Sequence, residues 1–282
     1  MFIISSESWT PLSPIFGEKS GLVDNRRMRI FLSRWVCLDV DTNLKRVKEE
    51  VCRAAMDGAA IAVLPELCLT GYRREVDAGE ARDVFATASR SFPEVLCVFG
   101  TISEEGRNRL TVWLGGELVA SYDKIHLFHP NREGEFWTPG DRFVALDWKG
   151  FRIGFMVCND LRYPEQARAL ALEARCDLLV IPGWWPWRRD HVWQTLLRAR
   201  AIENAVWVAG CCVAGSLWSG EDFSGAGNYV FDPLGEPVRT VDDHNYRLDI
   251  EHRPALVVDP REHPPILGDV EVIEVGEMDA GN

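Results

Sequence analysis

The chain has 282 residues, enough for a sizeable core in one domain, and no Pro/Gly/Ser-rich linker or polar tract divides it. Its 46% hydrophobic and 26% charged residues give a globular balance, while a formal net charge of -12 argues against a phosphate-tracking surface, so nucleic acid is not an expected partner. No run approaches the ~18 apolar residues that cross a bilayer, and the opening Met1–Ile4 stretch lacks a basic flank and an adequate apolar segment, so a cytoplasmic protein without a membrane partner is expected.

Residues 1–27 carry Pro11, Pro14 and two glycines without periodicity and read as an N-terminal extension: an arm on a neighbouring subunit, or residues ahead of a true start at Met28. From Met28 strands and helices alternate. The pattern predicts a strand over 28–37, an amphipathic helix over 42–57 ending at Gly58, a strand over 59–64, a helix over 78–90 and a strand over 94–100. Gly115-Gly116 joins strands at 109–114 and 117–122 as a hairpin, which makes the sheet mixed. An apolar run at 151–157, a helix near 164–174, a strand at 177–181, a helix near 189–204 and a strand at 206–213 repeat the pattern, with a second hairpin at 228–232 and 237–241. Two βαβα halves of this kind predict two mixed sheets face to face with helices outside, a four-layer α-β-β-α sandwich over 28–260. Residues 261–282 follow as a Pro-rich, then acidic, C-terminal tail.

Eight cysteines (37, 52, 68, 97, 158, 176, 211, 212) are read as mainly buried thiols, because a disulfide framework suits far shorter chains. No ligand-spaced cluster of Cys and His occurs, and no metal site is expected.

Three strand ends hold residues that can do chemistry. The run Phe151–Val157 stops at Cys158, and a thiol on a turn between strand and helix faces backbone N–H donors, which lower its pKa and can hold an oxyanion. Ala62–Pro65 leads directly into Glu66, where a carboxylate is placed for proton transfer from a thiol. Ser121–Phe128 contains Lys124 amid apolar and aromatic neighbours, and its ammonium suits a developing oxyanion. A chance strand-end cysteine, a loop glutamate and a snorkelling lysine would each explain one segment alone. Their coincidence at one sheet edge outweighs those explanations. His126 is the one histidine in these segments, which leaves a Cys-His dyad as the competing arrangement.

Three blocks, Pro65–Tyr72, Lys124–Phe128 and Cys158–Pro164, resemble the nitrilase superfamily of carbon–nitrogen hydrolases, over about Met28 to Pro260. The resemblance implies an α-β-β-α sandwich, a Glu66-Lys124-Cys158 triad, and a second glutamate that orients the lysine and substrate. By spacing before Pro139-Gly140 this maps to Glu133 in preference to Glu135. Trp185-Pro186, Arg189, Trp193 and Leu196–Asn204 look like the omega-amidase branch, which acts on dicarboxylic acid monoamides. Asn159 departs from that branch's usual aromatic residue, while Cys158-Asn159-Asp160 with Pro164-Glu165 looks like N-carbamoyl-amino-acid amidohydrolases, although Leu161-Arg162 stands where those typically carry two arginines.

The expected function is therefore cysteine-dependent hydrolysis of a small-molecule amide through a thioester, with ammonia released and no cofactor. Asn159, Arg162, Trp185 and Tyr72 are the expected substrate-binding residues. One or two of Trp184, Trp185, Trp187 and Trp193 are expected to touch substrate, and the others to pack. A homodimer or higher homo-oligomer is implied by the resemblance. An acyltransferase, or a non-catalytic binding protein on the same fold, remains as the alternative.

Overall fold

The computed structural model describes residues 27–73, 78–217, 219–224, 227–239 and 245–249. The expected extension and tail lie outside the described residues, apart from Arg27, which opens the first strand.

The first half runs β1 (Arg27–Leu32), β2 (Val36–Cys37), α1 (Val40–Met56), β3 (Ile61–Val63), α2 (Ala78–Ser91), β4 (Leu96–Glu104), β5 (Arg107–Leu114) and β6 (Glu117–Asp123). The second runs β7 (Ala145–Trp148), β8 (Phe151–Phe155), α3 (Pro164–Leu172), β9 (Leu178–Gly183), α4 (Asp190–Asn204), β10 (Trp207–Cys212), β11 (Gly215–Ser216), β12 (Tyr229–Phe231) and β13 (Asn245–Asp249).

Local chemistry sets these limits. Asp39 caps α1 by accepting from the Thr42 amide at 2.9 Å, and Leu44, Val47, Val51 and Ala54 line its buried face at helical spacing. Gly58, at φ +70°, ends it. The central strands β3, β8, β9 and β10 are apolar and almost wholly buried, as parallel strands covered on both faces must be.

Apart from β2 and β11, which pair as a short separate ribbon, one large sheet has the order β13-β1-β3-β4-β5-β6 and the other β12-β10-β9-β8-β7. In each, parallel pairings form the centre (β1–β3–β4 and β8–β9–β10) and antiparallel strands the edges. Helices α1 and α2 cover the six-stranded sheet, and α3 and α4 pack together with α4 on β10. The inner faces meet across side-chain-to-backbone contacts: Trp148 Nε1 donates to Ala60 O at 3.0 Å, and Cys211 Sγ to Val63 O at 3.3 Å. This is the four-layer α-β-β-α sandwich with mixed sheets.

Three elements differ from expectation. The strand over 28–37 breaks after Leu32, because Ser33 leaves the sheet's regular pairing and Trp35 turns inward to donate from Nε1 to Cys68 O at 2.8 Å. β7 forms where no strand was expected; its residues are half-buried or exposed, so no apolar run marks it. The second hairpin reduces to one bridge between Phe231 and Pro237 among the described residues, while β12 pairs with β10. Proline supplies no N–H to a ladder, and residues 240 and 241 lie outside the described residues. The hairpin that completes the five-stranded sheet is β7–β8 instead.

Candidate active site

Glu66 lies three residues beyond β3, on a loop held by the Leu64 amide on Val98 O (2.8 Å) and the Leu67 amide on Thr101 Oγ1 (3.0 Å). The loop passes so close to β4 that a Cβ on Gly100 (φ +61°) would sit 1.9 Å from Pro65 O. The pairing of β4 with β5 shifts register between Val98 and Thr101, around that glycine. Lys124 follows β6 directly; its amide donates to Asn108 O (3.0 Å) and its carbonyl accepts from Gly140 N (2.9 Å).

Both side chains are completely buried and joined: Lys124 Nζ donates to Glu66 Oε1 at 2.7 Å. The same nitrogen lies 3.0 Å from both Glu133 oxygens. Glu133 opens a single 3-10 turn and is fully buried, fixed by the Phe128 amide (2.8 Å) and the Tyr72 hydroxyl (3.0 Å). Glu135 is exposed and pairs with Arg132 instead, so burial separates the two candidates that spacing left adjacent.

Cys158 lies beyond β8 and opens a 3-10 segment, Cys158–Arg162, in the left-handed region at φ +48°. Such a conformation in a non-glycine residue is held only by its surroundings. Asp160 supplies them. Its carboxylate is fully buried and accepts from Val157 N (2.8 Å), Tyr122 Oη (2.7 Å) and His126 N (2.8 Å). It thereby ties the cysteine's turn in one sheet to β6 in the other. Arg200 of α4 adds two bonds to Leu161 O, from Nε at 3.1 Å and Nη2 at 2.9 Å.

The charges explain one departure from expectation. Burial pushes the Cys158 thiol well above its ordinary pKa, and the neighbouring Glu66 charge raises it further, against a lowering from Lys124. Backbone donors at the turn were expected to lower this pKa. Desolvation outweighs them and disfavours the charged form. Burial disfavours the Lys124 ammonium, but Glu66, Cys158 and Glu133 outweigh that and hold its pKa raised. Glu133 is shifted upward, first by burial and then by repulsion from Glu66, in opposition to Lys124. Glu66 Oε1 is occupied by Lys124 and by Asn108 Nδ2 at 3.0 Å, and Oε2, buried, is taken by neither, with the Cys158 thiol beside the carboxylate. One carboxylate oxygen is thus anchored and the other left as acceptor capacity, the arrangement a base requires.

A narrow cleft opens onto Cys158, lined by Tyr72, Phe128, Asn131, Asn159, Arg162, Trp184, Trp185 and Arg189. All four expected substrate-binding residues are on it. Asn159 lines it while its amide donates to His126 O (3.0 Å) and Leu127 O (3.3 Å). Of the four tryptophans, Trp184 and Trp185 line the cleft, Trp193 is fully buried behind Trp185, and Trp187 is half exposed. His126 does not line it; its Nδ1 lies 2.9 Å from Asp160 Oδ1 and its ring stacks on Tyr163. This placement disfavours the Cys-His dyad. Sequence reasoning missed Asn108 and Asn131, ordinary polar residues in a strand and a turn that carry no local signal of a site.

Among the described residues no group of His, Cys, Asp and Glu could hold a metal ion, and no helix is long and apolar enough to cross a membrane.

The layers and this buried constellation define a class, and comparison with known proteins gives the family. The carbon-nitrogen hydrolase family model matches residues 26–245, and the chain belongs to that family, within the nitrilase superfamily. It is 33% identical over 244 residues to omega-amidase YafV of Escherichia coli K12, covering 84% of this chain and 93% of that protein. To human omega-amidase NIT2 it is 31% identical over 186 residues, 59% of this chain and 67% of that protein. Among solved structures, a cysteine-to-alanine mutant of an amidase from Nesterenkonia AN1 superposes with a TM-score of 0.69 at 26% identity, covering 81% of this chain and 91% of that one. A glutamate mutant of the same amidase carries the acetamide moiety of fluoroacetamide covalently at its active-site cysteine (26% identity, TM-score 0.66, 81% and 91% covered).

Proposed function

We propose that this protein hydrolyses the amide bond of a small molecule, preferentially a dicarboxylic acid monoamide, with Cys158 as nucleophile, Glu66 as general base and Lys124 as oxyanion donor. The observation that carries this reading is the Lys124 ammonium held between buried Glu66 and Glu133, with the Cys158 thiol beside Glu66, whose second oxygen neither Lys124 nor Asn108 occupies. In support, the matched relatives include omega-amidases, and the matched structures include an amidase with an active-site cysteine.

Glu66 takes the Cys158 proton as Sγ bonds to the carbonyl carbon and the carbonyl π pair moves onto oxygen. That oxygen is held by a Lys124 N–H and the Asn159 backbone N–H, while Glu133 keeps the lysine in place. When the tetrahedral species collapses the C–N bond breaks, Glu66 returns its proton to the leaving nitrogen and ammonia departs, leaving a thioester. Water gives a proton to Glu66 and adds to the thioester; expulsion of Sγ with that proton releases the acid and restores the thiol. In the same reading residues 28–260 form the hydrolase domain of a cytoplasmic homodimer or higher homo-oligomer. The Cys158-Asn159-Asp160 block favours a carbamoyl amino acid as the second substrate class.

Ammonia release from short amides, monoamides, carbamoyl amino acids and nitriles tests the proposal. The expected result is turnover of an amide that falls at least about 1,000-fold in Cys158→Ala with unchanged circular dichroism. Undiminished turnover in that variant would falsify the assignment.

A further inference from the structure

We infer that Trp184 is the specificity-determining residue for the acyl part of the substrate, a rigid wall beside Cys158 that admits chains unbranched at the carbon next to the amide carbonyl and rejects branched ones. The inference rests on the amidase reading above and adds a limit of shape to it. Trp184 follows β9 directly and lines the cleft with Cys158. Its backbone N–H donates toward the Cys158 sulfur and lowers the thiol pKa, against the larger effect of burial. The indole ring therefore springs from backbone that touches the nucleophile. The carbon next to the carbonyl, bonded to the atom that Sγ attacks, is the first place where an acyl chain can carry a branch, and it falls beside that ring.

The ring has little room to swing aside. Tyr72 meets it edge-on at 5.8 Å and 85°, Phe223 meets it at 5.6 Å and 81°, and a Cβ on Gly71 would sit 3.1 Å from its Cη2. These neighbours are themselves held. The Tyr72 hydroxyl donates to Glu133 Oε1 at 3.0 Å. Phe223 is buried in a loop pinned to the turn beyond Trp184 by the Trp187 amide on Asp222 O at 2.7 Å and by Arg188 Nε on Glu221 Oε2 at 2.7 Å. The backbone of the next residue is clasped by one side chain: the Trp185 amide donates to Cys212 Sγ at 3.1 Å, and that thiol donates to Trp185 O at 3.4 Å. A wall packed on several sides at interior density yields little, so a methyl group that meets it weakens binding instead of displacing the ring. Trp187, half exposed and off the cleft, has no such part.

Two measurements on the full chain test this. The first compares kcat/KM for succinamate with that for 3-carbamoyl-3-methylbutanoate, which adds a pair of methyl groups to the carbon next to the amide carbonyl. It is made on the unmodified enzyme, Trp184→Ala, Trp184→Phe and, as control, Trp187→Ala. The preference for succinamate is expected to fall at least about tenfold in Trp184→Ala and about threefold or more in Trp184→Phe, chiefly by gain on the branched amide, and to stay put in Trp187→Ala. A fall of less than about threefold in every Trp184 variant that folds, or an equal fall in Trp187→Ala, would overturn the wall. The second measurement needs no hydrolysis. An aldehyde caps Cys158 as a thiohemiacetal, Sγ bonding to the carbonyl carbon as the thiol proton passes to its oxygen, and so slows alkylation by iodoacetamide, read by mass spectrometry of the Cys158 peptide. Butanal should protect at concentrations at least about tenfold below those of 2,2-dimethylbutanal, and Trp184→Phe should narrow that gap about threefold or more. Should succinamate not be hydrolysed, the preferred hydrolytic reading fails and protection decides alone. A gap narrowed in that variant upholds the wall; no protection by butanal, or a gap left unchanged, overturns it.

Discussion

At the scale of the residue, the site is organised around a charge problem. One ammonium stands among two carboxylates and a thiol in an almost wholly buried region, so whichever proton moves is felt by all four. Lys124 makes the arrangement tolerable, and Asn108 holds it still: its side chain binds Glu66 while its carbonyl binds the lysine's amide. Because the Cys158 pKa is raised by burial and then by Glu66, its thiolate fraction at neutral pH is small and grows with pH. Alkylation by iodoacetamide, followed by mass spectrometry of the Cys158 peptide, should accelerate about tenfold per pH unit from pH 7 to 9 without a plateau. Glu66→Gln should speed this alkylation at pH 8, since a negative neighbour is gone, while abolishing amide turnover. A plateau below pH 7 would show a standing thiolate instead.

At the scale of the element, each reactive group is presented by a strand end whose backbone is wedged in place. The wedge for Glu66 is Gly100, where a side chain would meet Pro65 O at 1.9 Å and a backbone at φ +61° would be strained besides. Gly100→Ala should destabilise the protein by about 2 kcal/mol or more in urea and reduce kcat, by moving the Glu66 loop. Gly106, also at positive φ but with nothing within 4 Å of its missing Cβ, is the control: Gly106→Ala should cost about 1 kcal/mol and leave kcat unchanged. A Gly100→Ala variant no worse than this control would contradict the wedge. Much of this level was legible in the sequence, since buried parallel strands announce themselves as apolar runs and Gly115-Gly116 marks the β5–β6 hairpin. What escaped notice has a common cause. β7 has no apolar run, the break after Leu32 depends on where Trp35 finds a carbonyl, and the bulge at Gly100 answers a loop far away in sequence.

At the scale of the whole molecule, the sandwich itself assembles the site. Glu66 and Lys124 extend from the six-stranded sheet and Cys158 from the five-stranded one, so the constellation exists only where the two sheets meet. Asp160 spans that junction, binding Val157 on its own side and Tyr122 and His126 on the other. The three strand-end residues were legible in the sequence because alternation fixes which ends share an edge. Asn131 was not, since it reaches the cleft through loop geometry that no periodicity encodes. The central claim is that the thiol brought to this junction carries the acyl group. Acid quenching during steady-state turnover of an amide, followed by peptide mass spectrometry, tests it most directly. An acyl adduct on the Cys158 peptide, lost on adding hydroxylamine and absent in Cys158→Ala, is the predicted result; continued ammonia release with that peptide unmodified, or the adduct on another residue, would contradict it.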